Sequence, residues 1–561
     1  MLSKEEVIFK PVATPNQNWI GDLDHRHMDS SLKSFRAPKN DKRVITLCKP
    51  FLVFTKNSYS APVTLPLNLA YLGGVLEKAD YKIKIIDATG EKRPLKITRS
   101  QDNLYNFQGL NSVDIIEKID PETFIFGISL MFSKEWIFHK SLIEEVKKKY
   151  PKIIIIAGGE HASAIPEYIL RNCSSIDYII KGEGEFSMLE FSYNMFNGRS
   201  VSKIPGICCV DKENKFINNG LSKRIKHIDT LPRPAWHLIK TENYFDDYFT
   251  LGIASGRNMP ILATRGCPFQ CTFCSSPSMW TTRYVMRDPK EIVDEIEWLM
   301  KEYKANNFEF FDLTAIIKKN WILEFCNELK KRRLNDLTWQ LPVGTRTESL
   351  DEEVLKAIYD TGCHFISYAP ESGSEKSIKI IKKRVKINRI VKSIKTSAKI
   401  GHTIKLHLII GFPHETLTDC LKTIFFGTYC AFRLGVSDVL ISVFVPYPGS
   451  ELFEKLKKEQ KLKVDDNYFE NLNAYMDITN QNTYCEYVSG RTLMFLRFSG
   501  YLLSYLTIYI SRPQRIYKFL RNIFRKKFFA NNLFEQRLYE FYLRFKFRRR
   551  QKKLSFLHKS N

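Results

Sequence analysis

The sequence predicts an α/β protein made of an N-terminal doubly wound parallel sheet, a partial (β/α)6 barrel and a helical C-terminal segment. Short β-branched runs alternate with amphipathic segments, and this alternation starts twice, near residues 43 and 259. The prolines of "LPRPAW" mark a boundary between the two series. We therefore expect an extension (1–42), a first domain (43–200), a linker (201–258), a barrel (259–460) and a basic helical region (461–561).

Five runs in the first series have the composition of buried strands. They are "RVITLC", "YKIKIID", "TFIFGIS", "KIIIIAGG" and "IDYIIKGEGE". Helical patterns lie between them, namely "LPLNLAYLGGVLEKA", "KEWIFHKSLIEEVKKKY" and "SAIPEYILRN". Such alternation is typical of an open parallel sheet that binds ligands beyond the carboxyl ends of its strands.

Six runs in the second series are also predicted to be strands. They are "PILATR", "NFEFFD", "TWQLPV", "HFISYA", "IKLHLII" and "DVLISVF", each followed by a helical pattern. Six βα units favour an incomplete barrel over a full one, which takes about 250 residues. In either barrel the chemistry lies at the C-terminal ends of the strands.

Composition limits the class of protein. Lys plus Arg exceed Asp plus Glu by 86 − 61 = 25, so an anionic membrane surface, nucleic acid or simply a lysine-rich solvated surface are alternatives. Twelve cysteines, scattered except for one group, indicate reduced thiols and one metal site, and no signal peptide is evident. The longest apolar candidate, "YLLSYLTIYI" (501–510), has about half the length of a membrane-spanning helix. We expect a cytoplasmic protein without a membrane span.

The one cysteine group is "TRGCPFQCTFC", which follows the first predicted barrel strand. Its Cys267, Cys271 and Cys274 are spaced so that a loop can wrap around an inorganic centre. A structural zinc needs a fourth ligand, and none follows at finger spacing. A cubane cluster held by three thiolates instead leaves one iron open to bind another molecule. Chance clustering of thiols is the alternative.

This motif, at the end of the first strand of a six-unit barrel, resembles that of the radical S-adenosylmethionine (SAM) superfamily. The resemblance implies a [4Fe–4S] cluster whose open iron chelates SAM. "YAPESGS", "IIGFPHET", "VFVPYPGSELF" and "FEFFD" are similar to further segments of the family, although its usual Gly-Gly-Glu is absent from the last. The SAM contacts implied are Phe273, Phe311, Asp312, Glu371, Ser372, Gly411, Phe412 and Pro413. Taken singly, a turn at Gly411 or a structural ion pair at Glu371 explains these segments equally.

The first domain resembles the flavodoxin-like cobalamin-binding domain that precedes many radical SAM barrels. Glycines that end buried strands let a large flat ligand approach the backbone, although a plain turn is the alternative. A nucleotide domain is disfavoured, because no G-x-G-x-x-G follows the first strand. The cobalamin contacts expected are Ser129, Gly158, Gly159, Gly182, Glu183, Gly184 and Glu185.

The loop after the first strand contains no histidine. The resemblance therefore implies cobalt without a histidine ligand on its lower face. His161 lies beside Gly159, and we expect it to face solvent or the tail of the cofactor rather than to bind cobalt.

The resemblance implies a methyltransferase: one SAM methylates cobalamin, a second yields a deoxyadenosyl radical, and the substrate carbon radical takes the methyl group. An oxidative cyclase or rearrangement enzyme is the alternative, and a non-catalytic iron–sulfur protein is less favoured. A methylthiotransferase is disfavoured because the first domain has no second cysteine group. The expected partners are a small-molecule or lipid-like substrate and an electron donor such as flavodoxin or ferredoxin.

The C-terminal region is helical, aromatic and basic. We expect it to serve as scaffold or as a lid on the substrate pocket. A basic amphipathic helix at the inner face of the membrane is the alternative, and single-stranded nucleic acid is disfavoured.

Overall fold

The computed structural model describes residues 22–23, 25–58, 63–91, 97–245, 250–253, 256–334, 336–523, 534–536, 538–539 and 542. Most of the predicted basic tail beyond residue 523 lies outside these ranges. The chain up to residue 245 contains β1 (Asp22–Leu23), α1 (His25–Ser34), β2 (Val44–Lys49), β3 (Leu52–Thr55), α2 (Leu67–Lys78), β4 (Lys82–Asp87), β5 (Ile97–Arg99), β6 (Tyr105–Gln108), α3 (Ser112–Glu117), β7 (Thr123–Ser129), α4 (Trp136–Lys149), β8 (Ile154–Gly158), α5 (Glu160–Ala164), α6 (Pro166–Asn172), β9 (Tyr178–Ile180), α7 (Gly184–Phe196), β10 (Ile207–Val210), β11 (Phe216–Asn218), β12 (Arg224–Ile225) and α8 (Glu242–Phe245).

The main sheet of this first unit has seven strands in the order β11-β10-β9-β8-β7-β2-β4. Its five parallel strands are the five predicted ones. Numbered by their order in the sequence, they lie side by side across the sheet as second, first, third, fourth and fifth. This is the flavodoxin-like order, whose switch point lies between the first and third strands, here β2 and β7. The doubly wound sheet is confirmed.

Three features of the first unit differ from expectation. Residues 207–218, where "GICCVDKENKFINNG" predicts a hairpin-like linker, do form an antiparallel hairpin, β10 and β11, but this hairpin extends the main sheet. The predicted extension contains α1, and β1 pairs with β12. A small sheet of order β3-β6-β5 covers the region after β2. The strands that were not predicted are only two to four residues long, so the alternation of apolar and polar residues in them is too brief to recognise. They are β1, β3, β5, β6 and β12.

The second unit begins with β13, and its elements, with the C-terminal helices, follow here. They are β13 (Asn258–Ile261), β14 (Thr264–Arg265), α9 (Ser276–Trp280), β15 (Val285–Met286), α10 (Pro289–Tyr303), β16 (Asn307–Phe310), α11 (Lys319–Lys331), β17 (Thr338–Thr345), α12 (Glu352–Asp360), β18 (Cys363–Glu371), α13 (Glu375–Ile380), α14 (Ile387–Ile400), β19 (Thr403–Ile410), α15 (Leu417–Tyr429), β20 (Asp438–Val443), α16 (Glu451–Lys458), α17 (Asp466–Asn471), α18 (Gly490–Ile510) and α19 (Gln514–Ile523).

The barrel is a six-stranded parallel sheet in chain order, β13-β16-β17-β18-β19-β20. Within the described residues β13 and β20 do not pair, so the barrel is partial, as predicted. Capping residues fix where its helices begin: the Asp288 carboxylate accepts from the Lys290 amide before α10, and Thr416 and Asp419 form a capping box at α15. One hydrophobic core runs from the first sheet into the barrel.

The C-terminal region packs on the barrel through α18. This helix is 21 residues long, and by length and composition it could cross a membrane. A third of its apolar window is buried inside the protein. The expectation that no apolar stretch approaches the length of a spanning helix is therefore wrong: Arg491, Arg497 and Gly500 interrupt the apolar residues before the predicted run. Tyr501 donates its hydroxyl to the Ile441 carbonyl (3.0 Å) and accepts from the Ile441 amide (3.2 Å), so α18 satisfies the free edge of β20.

Candidate cofactor and substrate site

The cysteine loop runs from β14 to α9. It leaves the strand through Gly266, whose φ is +88° and where a Cβ would overlap the Arg283 carbonyl oxygen, so only glycine fits this turn. Cys267, Cys271 and Cys274 are each partly exposed, and all three line one cavity of about 1100 Å³. The structure thus brings the three predicted ligands to one place.

The surroundings of these thiols are mostly apolar. Burial raises the pKa of Cys267, against the opposing effect of nearby cations, and raises the pKa of Cys274 to about 12. A bound metal therefore has to displace the protons of these thiols. A cluster iron does so because it binds the thiolate form.

A three-cysteine set suits a polynuclear cluster. In the described part of the chain no three His, Cys, Asp or Glu side chains are placed to hold a single metal ion. In a cubane each thiolate binds a different iron, so the sulfurs lie further apart than around one ion. The donor set and the open cavity beside it fit a [4Fe–4S] cluster with one iron free of protein ligands.

Two cations that the sequence did not single out flank the loop. The Arg346 guanidinium lies 3.4 Å from the centre of the Phe269 ring, and Arg346 donates to the carbonyls of Lys383 and Arg384, both at 3.0 Å. Lys383 Nζ pairs with Glu371 Oε1 at 2.8 Å. Both cations line the cavity, so they offset negative charge on the thiolates and their cluster. Neither belongs to a recognisable motif.

The predicted SAM contacts divide into two groups. Phe273 and Glu371 line the cavity beside the cysteines, and Glu371 has a left-handed φ of +68°. The other predicted residues do not line the cavity. They are Phe311, Asp312, Ser372, Gly411, Phe412 and Pro413.

The residues outside the lining hold the backbone in place. Asp312 accepts from the amides of Ala263 and Thr264, where the cysteine loop begins, and burial raises its pKa to about 6. The Gly411 amide donates to Glu415 Oε2 at 2.8 Å. Ser372 is fully buried, and its hydroxyl lies 2.9 Å from that of Thr423. Contact of these residues with SAM stays a prediction.

The predicted cobalamin residues lie at the carboxyl edge of the first sheet. A Cβ on Gly158 would meet nothing within 4 Å, so the backbone is bare there, whereas Gly159, with a φ of +108°, packs against the Leu130 carbonyl. Ser129 Oγ accepts from Asn68 Nδ2 at 2.9 Å, while Gly182 lies in the turn after β9 and Gly184 begins α7. Open space over a strand end fits a large planar ligand.

Glu183 and Glu185 have an additional role. Their buried carboxylates pair with arginines: Glu185 with Arg265 at 2.8 Å, and Glu183 with Arg265 at 3.3 Å and with Arg224. Burial lowers the pKa of Arg265, but the two carboxylates outweigh it and the pKa is raised. Arg265 directly precedes Gly266, so this network ties the first domain to the cysteine loop. Contact of the two glutamates with cobalamin stays a prediction.

A second contact joins the same two regions. Glu160, which follows Gly159, accepts a hydrogen bond from Ser275, which follows Cys274, and Glu160 lines the cavity. The carboxyl edge of the first sheet therefore reaches this cavity through Glu160, while the seven predicted cobalamin contacts do not line it.

His161 does not face solvent, so that part of the expectation is wrong. It is 2% exposed, its Nδ1 lies 2.9 Å from Ser133 Oγ, and its ring packs against Trp136 and Phe469. Burial lowers its pKa to about 3, so the ring is neutral. Residues from α17 cover this position, which local sequence does not reveal.

The far part of the cavity is formed by β19 and α18. Lys405, His407 and Ile409 alternate along β19 and all line it. His407 Nε2 has no hydrogen-bond partner among the described residues, and burial lowers its pKa well below the usual value. Helix α18 contributes aromatic and aliphatic side chains to the opposite wall. They are Phe498, Tyr501, Leu502 and Tyr505.

Comparisons with known proteins agree with this geometry. The model of the radical SAM superfamily matches residues 261–427, and that of the B12 binding domain matches residues 59–191. An uncharacterized methyltransferase of Pyrococcus horikoshii is 29% identical over 390 residues, which cover 69% of this chain and 78% of that protein. The anaerobic magnesium-protoporphyrin IX monomethyl ester cyclase of Rubrivivax gelatinosus is 28% identical over 318 residues, covering 56% and 55%.

Two solved structures share the architecture. The radical SAM methyltransferase TsrM of Kitasatospora setae, with tryptophan substrate and a SAM analogue bound, superposes with a TM-score of 0.57 at 16% identity, covering 76% of this chain and 78% of that one. The cobalamin-dependent SAM radical enzyme OxsB, with aqua-cobalamin and SAM bound, gives a TM-score of 0.62 at 14% identity, covering 86% and 68%. At these identities the likeness is one of fold.

Proposed function

This chain is a radical SAM enzyme with an N-terminal B12-binding domain, and we propose that it transfers a methyl group to an unactivated carbon of its substrate. One observation carries the proposal: Glu160, beside the carboxyl edge of the first sheet, lines the same cavity as the three cysteines and accepts a hydrogen bond from Ser275 of their loop. When bound, the [4Fe–4S] cluster, SAM and cobalamin supply the radical and the methyl group.

The residues of the chain hold these groups and exclude water. Cys267, Cys271 and Cys274 would bind the cluster, while Arg346 and Lys383 place positive charge beside it. Glu371, held by Lys383, would orient SAM, and the bare backbone at Gly158 would lie against cobalamin. Substrate then occupies the remaining cavity between the cysteines and α18, where it lies beside the cluster and SAM.

We further propose that His407 contacts the substrate. Its Nε2 is buried with no hydrogen-bond partner in the described structure, and a neutral ring at the cavity surface can donate or accept a hydrogen bond there. A His407→Phe variant is expected to keep forming deoxyadenosine while losing product. Equal loss of both would contradict a role toward substrate.

Anaerobic reconstitution with iron, sulfide and cobalamin, followed by SAM and a reductant, tests the reaction. We expect deoxyadenosine, S-adenosylhomocysteine and a product that carries label from methyl-labelled SAM. If no deoxyadenosine forms under reduction, the radical assignment is wrong. The similarity to cyclases favours a second candidate, an oxidative cyclase, which would give deoxyadenosine and product without methyl transfer.

A small-molecule substrate is consistent with the cavity, and we propose a flavodoxin or ferredoxin as electron donor. We also propose a cytoplasmic location at the inner face of the membrane. None of the twelve cysteines, all of which the structure describes, forms a disulfide, which supports a reducing compartment.

A further inference from the structure

Helix α18 presents an apolar face away from the barrel. Its buried side holds Leu493, Leu496 and Ile508 against the protein. The opposite side carries a stripe at helical spacing in which every member is at least two-fifths exposed and none is polar. The stripe consists of Phe495, Phe498, Leu502, Leu503, Leu506 and Ile510.

The neighbouring helix α15 carries a second such stripe. Its residues are spaced by eight, four and three positions, which places them on one side of the helix, and they continue into the π-helical turn at Cys430–Leu434. They are Leu417, Phe425, Tyr429 and Phe432. The two helices touch at Gly500, where a Cβ would lie 2.7 Å from Ile424 Cδ1. Soluble proteins rarely expose so many neighbouring apolar side chains without a partner.

Although α18 is long enough to span a bilayer, its polar contacts keep it on the barrel. Arg497 is 1% exposed and donates to the carbonyls of Ala474 (2.9 Å) and Asp477. Tyr501 completes the edge of β20. A spanning helix would break these contacts and place Arg497 in hydrocarbon, so α18 can meet lipid only with its outer side.

Positive charge surrounds the two stripes. Exposed basic residues lie at the start of α18, on α15 and its π-helical turn, and on α19. They are Arg491, Lys422, Arg433, Lys518 and Arg521. On α19 they accompany exposed Ile516, Tyr517 and Leu520, which is the pattern of a helix lying in the interface of an anionic membrane.

The apolar face is continuous with the cavity. Phe498 and Leu502 are 61% and 51% exposed, yet both also line the cavity. The cavity therefore reaches the surface between side chains of the outer stripe, and a molecule that enters there comes from whatever medium covers α18.

We propose that the outer faces of α15, α18 and α19 lie on an anionic phospholipid surface and that a substrate with an apolar chain enters the cavity from that surface between Phe498 and Leu502. The substrate class rests on the proposed function, because it assumes that the cavity holds the methyl acceptor. Binding to the lipid surface does not require turnover, so the two can fail separately.

Vesicle sedimentation of the full-length, cofactor-loaded protein tests the surface. With vesicles of equal parts phosphatidylglycerol and phosphatidylcholine we expect binding, and weaker binding to phosphatidylcholine alone. The triple variant Phe425→Ser, Phe495→Ser, Leu506→Ser should lower the partition coefficient about tenfold or more. Lys518→Glu with Arg521→Glu should lower it several-fold in low salt only.

The matched control is Leu104→Ser with Val113→Ser, which alters two equally exposed apolar residues of the first domain. It should bind like the wild type, and unchanged iron–sulfur absorbance and thermal midpoint show that each variant is folded. The proposal is overturned if the wild type stays in the supernatant or if the control loses binding equally. A dimer that the triple variant dissociates, or protection of the stripe by residues 524–561 in crosslinking, also overturns it, because the face is then covered by protein.

A spin-labelled fatty acid, 16-doxylstearate, tests entry. The wild type should immobilise one label per protein, and Phe498→Trp with Leu502→Trp, which narrows the gap, should reduce the immobilised signal several-fold. Absence of an immobilised signal in the wild type would contradict the proposal that the substrate has an apolar chain. The vesicle experiment tests binding to the lipid surface separately from this result.

Discussion

The cavity has two walls that are held in place by different forces. The wall beside the cysteines is fixed by buried charge: Arg265, Arg224, Glu183 and Glu185 interlock the first domain with the cysteine loop. The wall made by α18 rests on the barrel through apolar packing and a few hydrogen bonds, and its outer side is exposed.

This difference matches what each wall has to do. Cluster, SAM and cobalamin have fixed shapes, and buried ion pairs impose one geometry because any displacement leaves a charge unpaired. A wall of Phe, Leu and Tyr side chains can rearrange around a substrate at lower cost. The cofactor side should therefore tolerate substitutions poorly, and the α18 side should tolerate them better.

The largest effect is expected at the cysteines themselves. Cys271→Ala should abolish cluster assembly and SAM cleavage, because two thiolates remain where three are needed. Iron content, visible absorbance and deoxyadenosine production measure this. Cys209→Ala, a partly exposed cysteine of β10, is the control and should behave like the wild type. SAM cleavage by Cys271→Ala would refute the ligand assignment.

The next effect concerns the interlock. Arg265→Met leaves Glu185 buried without a cation, which should lower the free energy of unfolding by about 3 to 5 kcal/mol. Denaturant unfolding of the apoprotein measures this. Lys319→Met removes an exposed partner of Asp351 and should produce no measurable change. Equal, small effects of both would mean that the network does not fix the cysteine wall.

The sequence could predict the strands, the barrel and the cysteine loop, because buried parallel strands are long β-branched runs and the three-cysteine spacing is specific. It could not predict the interlock. "KGEGE" indicates a turn and a ligand contact, but Arg224 and Arg265 reach it only through tertiary packing. Arg346 and Lys383 were missed for the same reason, as each lies beyond any motif. The full apolar length of α18 was missed because Arg491, Arg497 and Gly500 interrupt the apolar residues that precede the run at 501–510.

A third prediction concerns how the free energy of unfolding depends on pH through Asp312, which supports the cysteine wall. Burial raises the pKa of Asp312 to about 6 from an unfolded value of 3.8, so the folded state binds a proton more tightly than the unfolded state. Its contribution to stability is fully present below pH 3.8 and is lost as pH rises through 6, an effect of roughly 3 kcal/mol. Relative to Asp312→Asn, the wild type should lose this amount between pH 4 and pH 7. A constant difference across that range would show that Asp312 is ionised throughout.

The smallest effect is expected on the α18 wall. Tyr501→Phe removes the hydroxyl that bonds both the amide and the carbonyl of Ile441 on the free edge of β20. Loss of these bonds should cost about 1 to 2 kcal/mol of unfolding free energy and speed amide exchange at Ile441. Tyr517→Phe, 67% exposed on α19, is the control and should change neither. If Tyr501→Phe instead destabilises the protein as much as Arg265→Met, the two walls are equally rigid, and a substrate pocket that adapts at α18 is excluded.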